Sequence, residues 1–146
     1  NGEAVGGFGG WIEENNEPPS KILKSNLIGF TFGAENVAGI AAKSDIIKNI
    51  LIEREPMTLQ LEYLYVSPEH RGHKLAERLI QEHQKLALAQ FPDLKKIQVQ
   101  VFANNPGAVK VYEKNGFSVA KKYQSTHPEV LNYLPFNEKY VMEKHL

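Results

Sequence analysis

The sequence predicts a single α/β domain over residues 1–146, and three observations carry that prediction. Leu59 to Phe102 reads as strand, helix, strand, the order expected of a right-handed crossover joining parallel neighbours. A short helix with both ends punctuated follows at once. Asn105 fits its N-cap, Pro106 its first position and Gly116 the residue just past its end. The 146 residues, 42% of them hydrophobic, suffice for one core of ordinary composition.

Each element of the central stretch has its own signal. Leu59 to Val66 is rich in Leu, Tyr and Val, which suit a buried strand, and Pro68 ends it. Glu69 to Lys74 (EHRGHK) makes a turn. Leu75, Ala76, Leu79, Ile80, Leu86 and Ala87 then recur at helical spacing until Pro92. Ile97, Val99 and Val101 alternate with Gln98, Gln100 and Phe102 as a second strand. After Phe117, SVAKKYQ reads as a strand, STHPEVLNYLPFN as a loop, and Glu138 to Lys144 as a final strand.

The stretch before Leu59 is less regular. AVGGFGGWIEE reads as a strand, and no helix follows its glycines, so they mark close backbone approach rather than a phosphate loop. Glu13 to Ser20 is polar with a Pro pair, a turn or hairpin loop. Leu27, Ile28, Phe30 and Phe32 predict a further strand within Lys21 to Gly33, followed by an irregular Gly33 to Gly39. Ser44-Asp45 opens a short helix with Ile46, Ile47, Ile50 and Leu51 on one face, packed on the sheet and closed before Pro56.

Charge and cysteine usage narrow the function classes. Seventeen acidic and seventeen basic residues cancel, so no global charge favours nucleic acid or a membrane surface. No apolar run approaches the ~20 residues that span a bilayer. With no cysteine there is no disulfide, thiolate metal site or cysteine nucleophile, and the chain reads as cytoplasmic. His70 and His73 straddle the turn while His83 lies well along the helix, without a carboxylate cluster, so no metal is expected.

The chemistry concentrates at the turn before Leu75. A helix starting directly after a strand points unpaired N–H groups and its positive dipole end at one place, which favours phosphate. Gly72 lets the backbone approach a ligand, and Arg71 and Lys74 add positive charge. Neither a Walker pattern nor GxGxxG is present, so the turn alone also fits a plain surface loop. Asn105, Ala108 and Tyr112 fall at i, i+3 and i+7, one helical face that can look back toward the turn.

Taken together, SPEHRGHKLAERL and NNPGAVKVYEKNGF resemble the GNAT superfamily of acetyl-coenzyme A-dependent N-acetyltransferases. Arg71 and Ala76 match the ends of its first signature, with Lys74 where the family usually has glycine. Asn105, Ala108, Tyr112, Glu113, Gly116 and Phe117 match the second. The resemblance covers Leu59 to Phe117. It implies a mixed, mostly antiparallel sheet flanked by helices, with one splayed parallel strand pair. It also implies that the first strand and helices of the family are missing ahead of Ala4.

Acetyl-coenzyme A as co-substrate and an amine acceptor follow from the resemblance, as does direct transfer without an acyl-enzyme. Pantetheine would pair with the strand backbone at Leu64, Tyr65 and Val66. The pyrophosphate would sit on Arg71, Gly72, His73, Lys74, Leu75 and Ala76, with Asn105 and Ala108 beside the coenzyme. Tyr112 would protonate the leaving thiolate, although inner-face aromatics also simply pack. Glu62 is the acid inside the central strand, placed by alternation with Leu64 and Val66. It is the candidate for the amine proton, since Gln100 stands where other branches carry their glutamate. Two other readings stay open: a non-catalytic coenzyme A-binding module and an α/β interaction domain. The acceptor's identity and a homodimer are equally open.

Overall fold

The computed structural model describes residues 2–14 and 20–146. Five strands form one sheet in the order β1-β2-β3-β5-β4: β1 (Gly6–Ile12), β2 (Thr58–Val66), β3 (Lys96–Phe102), β4 (Ser118–Gln124) and β5 (Glu138–His145). Only β2 and β3 run parallel among the paired neighbours, and the other three pairings are antiparallel. The helices are α1 (Ser20–Phe32), α2 (Ala34–Ile47), α3 (Leu75–Gln90) and α4 (Pro106–Lys114). This is the mixed, mostly antiparallel α/β arrangement that the resemblance implies.

The core lies between the sheet and the α3–α4 side. Leu59 and Leu61 of β2, Ile97, Val99 and Val101 of β3, and Met142 of β5 pack with Ile80 and Ala87 of α3 and Tyr112 of α4. Period-two alternation supplies these odd-numbered β3 positions, and helical spacing supplies Ile80 and Ala87. Gln98 and Gln100 therefore point to the opposite face. On β1, Gly10 faces α3, where a Cβ would stand 2.8 Å from His83 Nε2. The glycines thus admit side chains of neighbouring elements as well as backbone.

The N-terminal third departs from the sequence reading. Lys21 to Gly33 is helical rather than a strand, and Gly33 to Gly39 is not irregular: Gly33, at φ 81°, links α1 to α2. Ile22, Leu23, Leu27, Phe30 and Phe32 of α1 are exposed, so no sheet face organises them into period two. The helix expected from Ser44 onward instead belongs to the end of α2. A 3-10 turn over Lys48–Ile50 follows, and the backbone is already extended at Leu51. Ile46 and Ile50 are buried, and Ile46 O accepts a hydrogen bond from Ser125 Oγ, so this piece does pack on the domain. Most of the loop expected over Glu13 to Ser20 lies outside the described residues. No helix among those described is long and apolar enough to cross a membrane.

Candidate active site

The site begins where two strands part. β2 and β3 are paired from Thr58↔Lys96 to Leu61↔Val99, and their pairing stops there. β2 continues to Val66 along β1, and β3 continues to Phe102 along β5. The backbone of Leu64, Tyr65 and Val66 therefore presents its β3-side edge to an open gap, the splay that the resemblance implies.

A bulge accompanies the parting. Gly10 pairs with Leu61 and Gly9 with Tyr63, so Glu62 has no partner in the β1 ladder. An extra residue bends a strand and shifts its alternation by one. Leu61 and Leu64 consequently both face the α3-side core. This corrects the simple alternation that grouped Glu62 with Leu64 and Val66. The Glu62 side chain instead reaches Arg54, whose Nε donates to Oε1 at 3.0 Å and whose Nη2 donates to the same oxygen. The guanidinium lies 5.1 Å from the Trp11 ring centroid, and its side chain is 11% exposed against 43% for Glu62.

The turn after β2 is built to leave N–H groups pointing outward. Pro68–His70 forms a 3-10 turn, braced by Ser67 Oγ against His70 Nδ1 at 2.8 Å. Gly72 takes φ 83°, and Lys74 takes a left-handed conformation (φ 58°, ψ 19°) as the N-cap of α3. Lys74 thus occupies a backbone state that glycine adopts freely and other residues adopt at a cost. Lys74 O accepts the first helical bond, from Arg78 N at 3.1 Å. The preceding N–H groups of Leu75, Ala76 and Glu77 have no intrahelical acceptor. Arg71 is folded back, with Nε donating to Val66 O at 3.1 Å, which leaves the outer guanidinium N–H groups for a ligand. His73 Nδ1 lies 3.3 Å from His70 O.

Asn105 caps α4, its Oδ1 accepting from Ala108 N at 3.1 Å, and its amide donors stay available. Ala108 packs at the margin of the core. Tyr112 is buried, its ring edge-on to Phe117 at 5.5 Å between centroids, in the cluster that holds Leu61 and Val99. Burial pushes the phenol's pKa up, so it stays protonated at neutral pH. Tyr112 therefore belongs to the same core cluster as Leu61 and Val99, the last paired residues of β2 and β3. Among the described residues, no hydrogen bond or ion pair joins α4 to the turn before α3. His83 packs edge-on against Phe8 at 4.4 Å, away from His70 and His73, and burial lowers its pKa.

Residues that the sequence did not single out complete the opposite face. Lys96 Nζ meets Glu55 Oε2 at 2.6 Å and Glu143 Oε1 at 3.0 Å, while Gln98 Nε2 donates to Glu143 Oε1 at 2.8 Å. The Lys96 hydrogen bond to Glu55 is the largest influence lowering that carboxyl's pKa, and it raises the pKa of Lys96. A cavity of about 390 Å³ beside them is lined by Arg54, Glu55, Gln98, Lys121 and Tyr123 among others. Glu55 and Lys96 are far apart in sequence, and only the parallel register at Thr58↔Lys96 reveals their proximity.

Comparison with known proteins bears on this arrangement. The profile of the acetyltransferase (GNAT) family matches residues 1–117. The chain belongs to that family. Solved acetyltransferase structures share its fold. An acetyltransferase crystal structure is 20% identical, covering 99% of this chain and 65% of its own, with a TM-score of 0.55. A GNAT-family acetyltransferase from Streptococcus pneumoniae is 23% identical, covering 62% and 50%, with a TM-score of 0.50. The ribosomal-protein-S18-alanine N-acetyltransferase from Escherichia coli is 18% identical, covering 64% and 57%, also at 0.50. The chain spans between half and two thirds of the length of these acetyltransferase structures. No curated protein sequence matches it.

Proposed function

We propose that this chain is the catalytic domain of an N-acetyltransferase that moves acetyl directly from acetyl-coenzyme A to an amine. The observation that carries the proposal is the parting of β2 from β3 after Leu61, next to a helix start with unpaired N–H groups. An open strand edge suits the amide-bearing pantetheine arm, at Leu64, Tyr65 and Val66. The N–H groups and cations of Arg71, Gly72, His73, Lys74, Leu75 and Ala76 suit a pyrophosphate. Asn105 contributes amide donors and Ala108 a small surface beside the coenzyme.

Acetyl-coenzyme A supplies an activated acetyl thioester. The chain's residues then have three tasks. A backbone N–H of the open β2 edge polarises the thioester oxygen as negative charge develops. Tyr112, kept neutral by burial, donates its proton to the departing thiolate. Glu62 receives the amine proton through water, oriented by Arg54, because Oε1 is already engaged by the guanidinium. Attack, loss of the amine proton to Glu62 and protonation of sulfur by Tyr112 leave an acetamide and a free thiol, and solvent then carries the proton from Glu62 back to the Tyr112 phenolate, which restores both groups.

The test combines calorimetric titration with acetyl-coenzyme A and thiol release in the presence of an amine panel. Binding that weakens with salt and at least tenfold on Arg71→Glu is expected. An affinity indifferent to that charge reversal removes the pyrophosphate from this turn. Binding without thiol release for any amine leaves a coenzyme-binding module.

A further inference from the structure

Tyr63 and Tyr65 are large aromatics on β2, yet 63% and 54% exposed. Glycines Gly9 and Gly7 stand opposite them on β1. A Cβ at Gly9 would lie 2.2 Å from Tyr63 Cε1 and 2.5 Å from Cζ, so the ring rests directly on the glycine backbone. A Cβ at Gly7 would meet nothing within 4 Å. Since Gly6 and Gly10 face Leu79 and His83 of α3, strand alternation puts Gly7, Gly9 and Trp11 on the other face. The two tyrosines therefore lie outside the core, at the open end of the splayed pair, with Tyr63 resting on Gly9 and open space over Gly7 beside Tyr65.

Packing does not account for this. A glycine that admits an exposed ring gives up β propensity without burying the ring it seats. What the arrangement does is fix an aromatic face in one orientation, toward solvent, beside the gap. Four other aromatic rings of the chain carry one of its own cations. Arg54 lies over Trp11, Lys139 over Phe102, Lys122 over Tyr140 and Lys43 over Tyr133, at 4.9 to 5.9 Å. Among the described residues no cation covers Tyr63 or Tyr65.

We infer that Tyr63 and Tyr65 form a recognition site for a second, non-reacting cation on the acceptor, an alkylammonium on a slender chain. Alternation spaces the two rings about 7 Å apart along the strand, within reach of a flexible aliphatic chain. A ring face attracts an ammonium through its quadrupole. The open backbone at Gly7 admits a narrow chain and leaves the reacting amine free to enter the gap. The inference rests on the acetyltransferase reading for its role, while the binding itself does not depend on turnover.

The experiment compares 1,4-diaminobutane with n-butylamine, equal in carbon chain and different in the distal charge. Calorimetry reads binding with and without acetyl-coenzyme A, and thiol release reads KM and kcat separately. The diamine should bind at least tenfold tighter and show the correspondingly lower KM, with kcat little changed. Tyr63→Leu and Tyr65→Leu should each cost about fivefold of that preference, and the Phe variants should keep it. A lysine-containing peptide amide in the same assay tells whether the second cation comes from a small diamine or a peptide. Equal binding of the two amines by the wild type, or a preference that survives both leucine substitutions, overturns the inference. Diamine binding without any acetyl-coenzyme A binding would instead leave this site standing and remove the acetyltransferase reading.

Discussion

Arg54 and Glu62 meet over the indole of Trp11, with one carboxylate oxygen accepting from Nε at 3.0 Å and from Nη2 at 2.5 Å. The pair stands at the residue where β2 bulges and leaves β3. Glu62→Gln keeps the shape and removes the proton acceptor. The expected result is a loss in kcat/KM that is largest at low pH and shrinks as the amine becomes neutral unaided. A pH–rate profile of both forms checks it. Parallel profiles at every pH would make the Arg54–Glu62 pair a structural clasp of the bulge.

Tyr112→Phe retains the ring against Phe117 and deletes the hydroxyl. A general acid is worth typically ~10²–10⁴-fold. We expect kcat to fall by at least the lower bound while coenzyme affinity and Tm stay nearly constant. An unchanged kcat, measured where chemistry limits turnover, assigns Tyr112 to packing alone.

Lys74 holds a left-handed backbone at the start of α3. Relief of that conformation in Lys74→Gly works against the extra freedom glycine gives the unfolded chain. The balance is a stabilisation of roughly 0.5 kcal/mol, with weaker coenzyme binding from the lost charge. Opposite signs in thermal melting and in calorimetry are the expected signature. A falling Tm would show that the lysine side chain stabilises the turn.

The Lys96 cluster sets a pH window. Hydrogen bonding and charge from Lys96 lower the Glu55 carboxyl. At Glu143 burial pushes the other way, and the bonds from Gln98 and Lys96 outweigh it. Carboxyls with depressed folded values give stability that is present above their ordinary range and lost as pH falls through the folded values. Lys96, raised by the same contacts, gives stability that is lost only at strongly alkaline pH, as pH rises through its folded value. Lys96→Met should therefore cost about 1–3 kcal/mol near neutrality, at the lower end because solvent reaches Glu55. The deficit should narrow as the carboxyls protonate. Denaturant melts at neutral and acid pH test this, and a pH-independent deficit would refute it.

What the sequence made legible was local. The N-cap at Asn105, the turn at Gly72 and the spacing of α3 each depend on a few adjacent residues, and all appear where the pattern puts them. The helices α1 and α2 escaped because Leu27, Phe30, Phe32 and Ile40 are exposed, and burial is what gives apolar residues a readable period. Glu62 escaped for another reason. Its bulge is a property of two paired strands, so alternation counted along one strand misassigns its face. Glu55, Lys96 and Glu143 come together only through the sheet's register, which no spacing within the chain encodes.

The chain leaves the sheet at Glu13 and returns at Met57, whose N–H donates to Glu13 O at 2.8 Å, beside the bridge of Glu13 with Pro56. Departure and return thus share one knot, and the ladder between β1 and β2 resumes as though nothing had been inserted. The entropy of closing such a loop grows only slowly with its length. A hairpin of helices, a longer excursion or a short one can hang from the same knot while Tyr63, Glu62 and the splayed edge keep their places. The knot is a graft point, where this architecture can change its outer covering without retuning its chemistry.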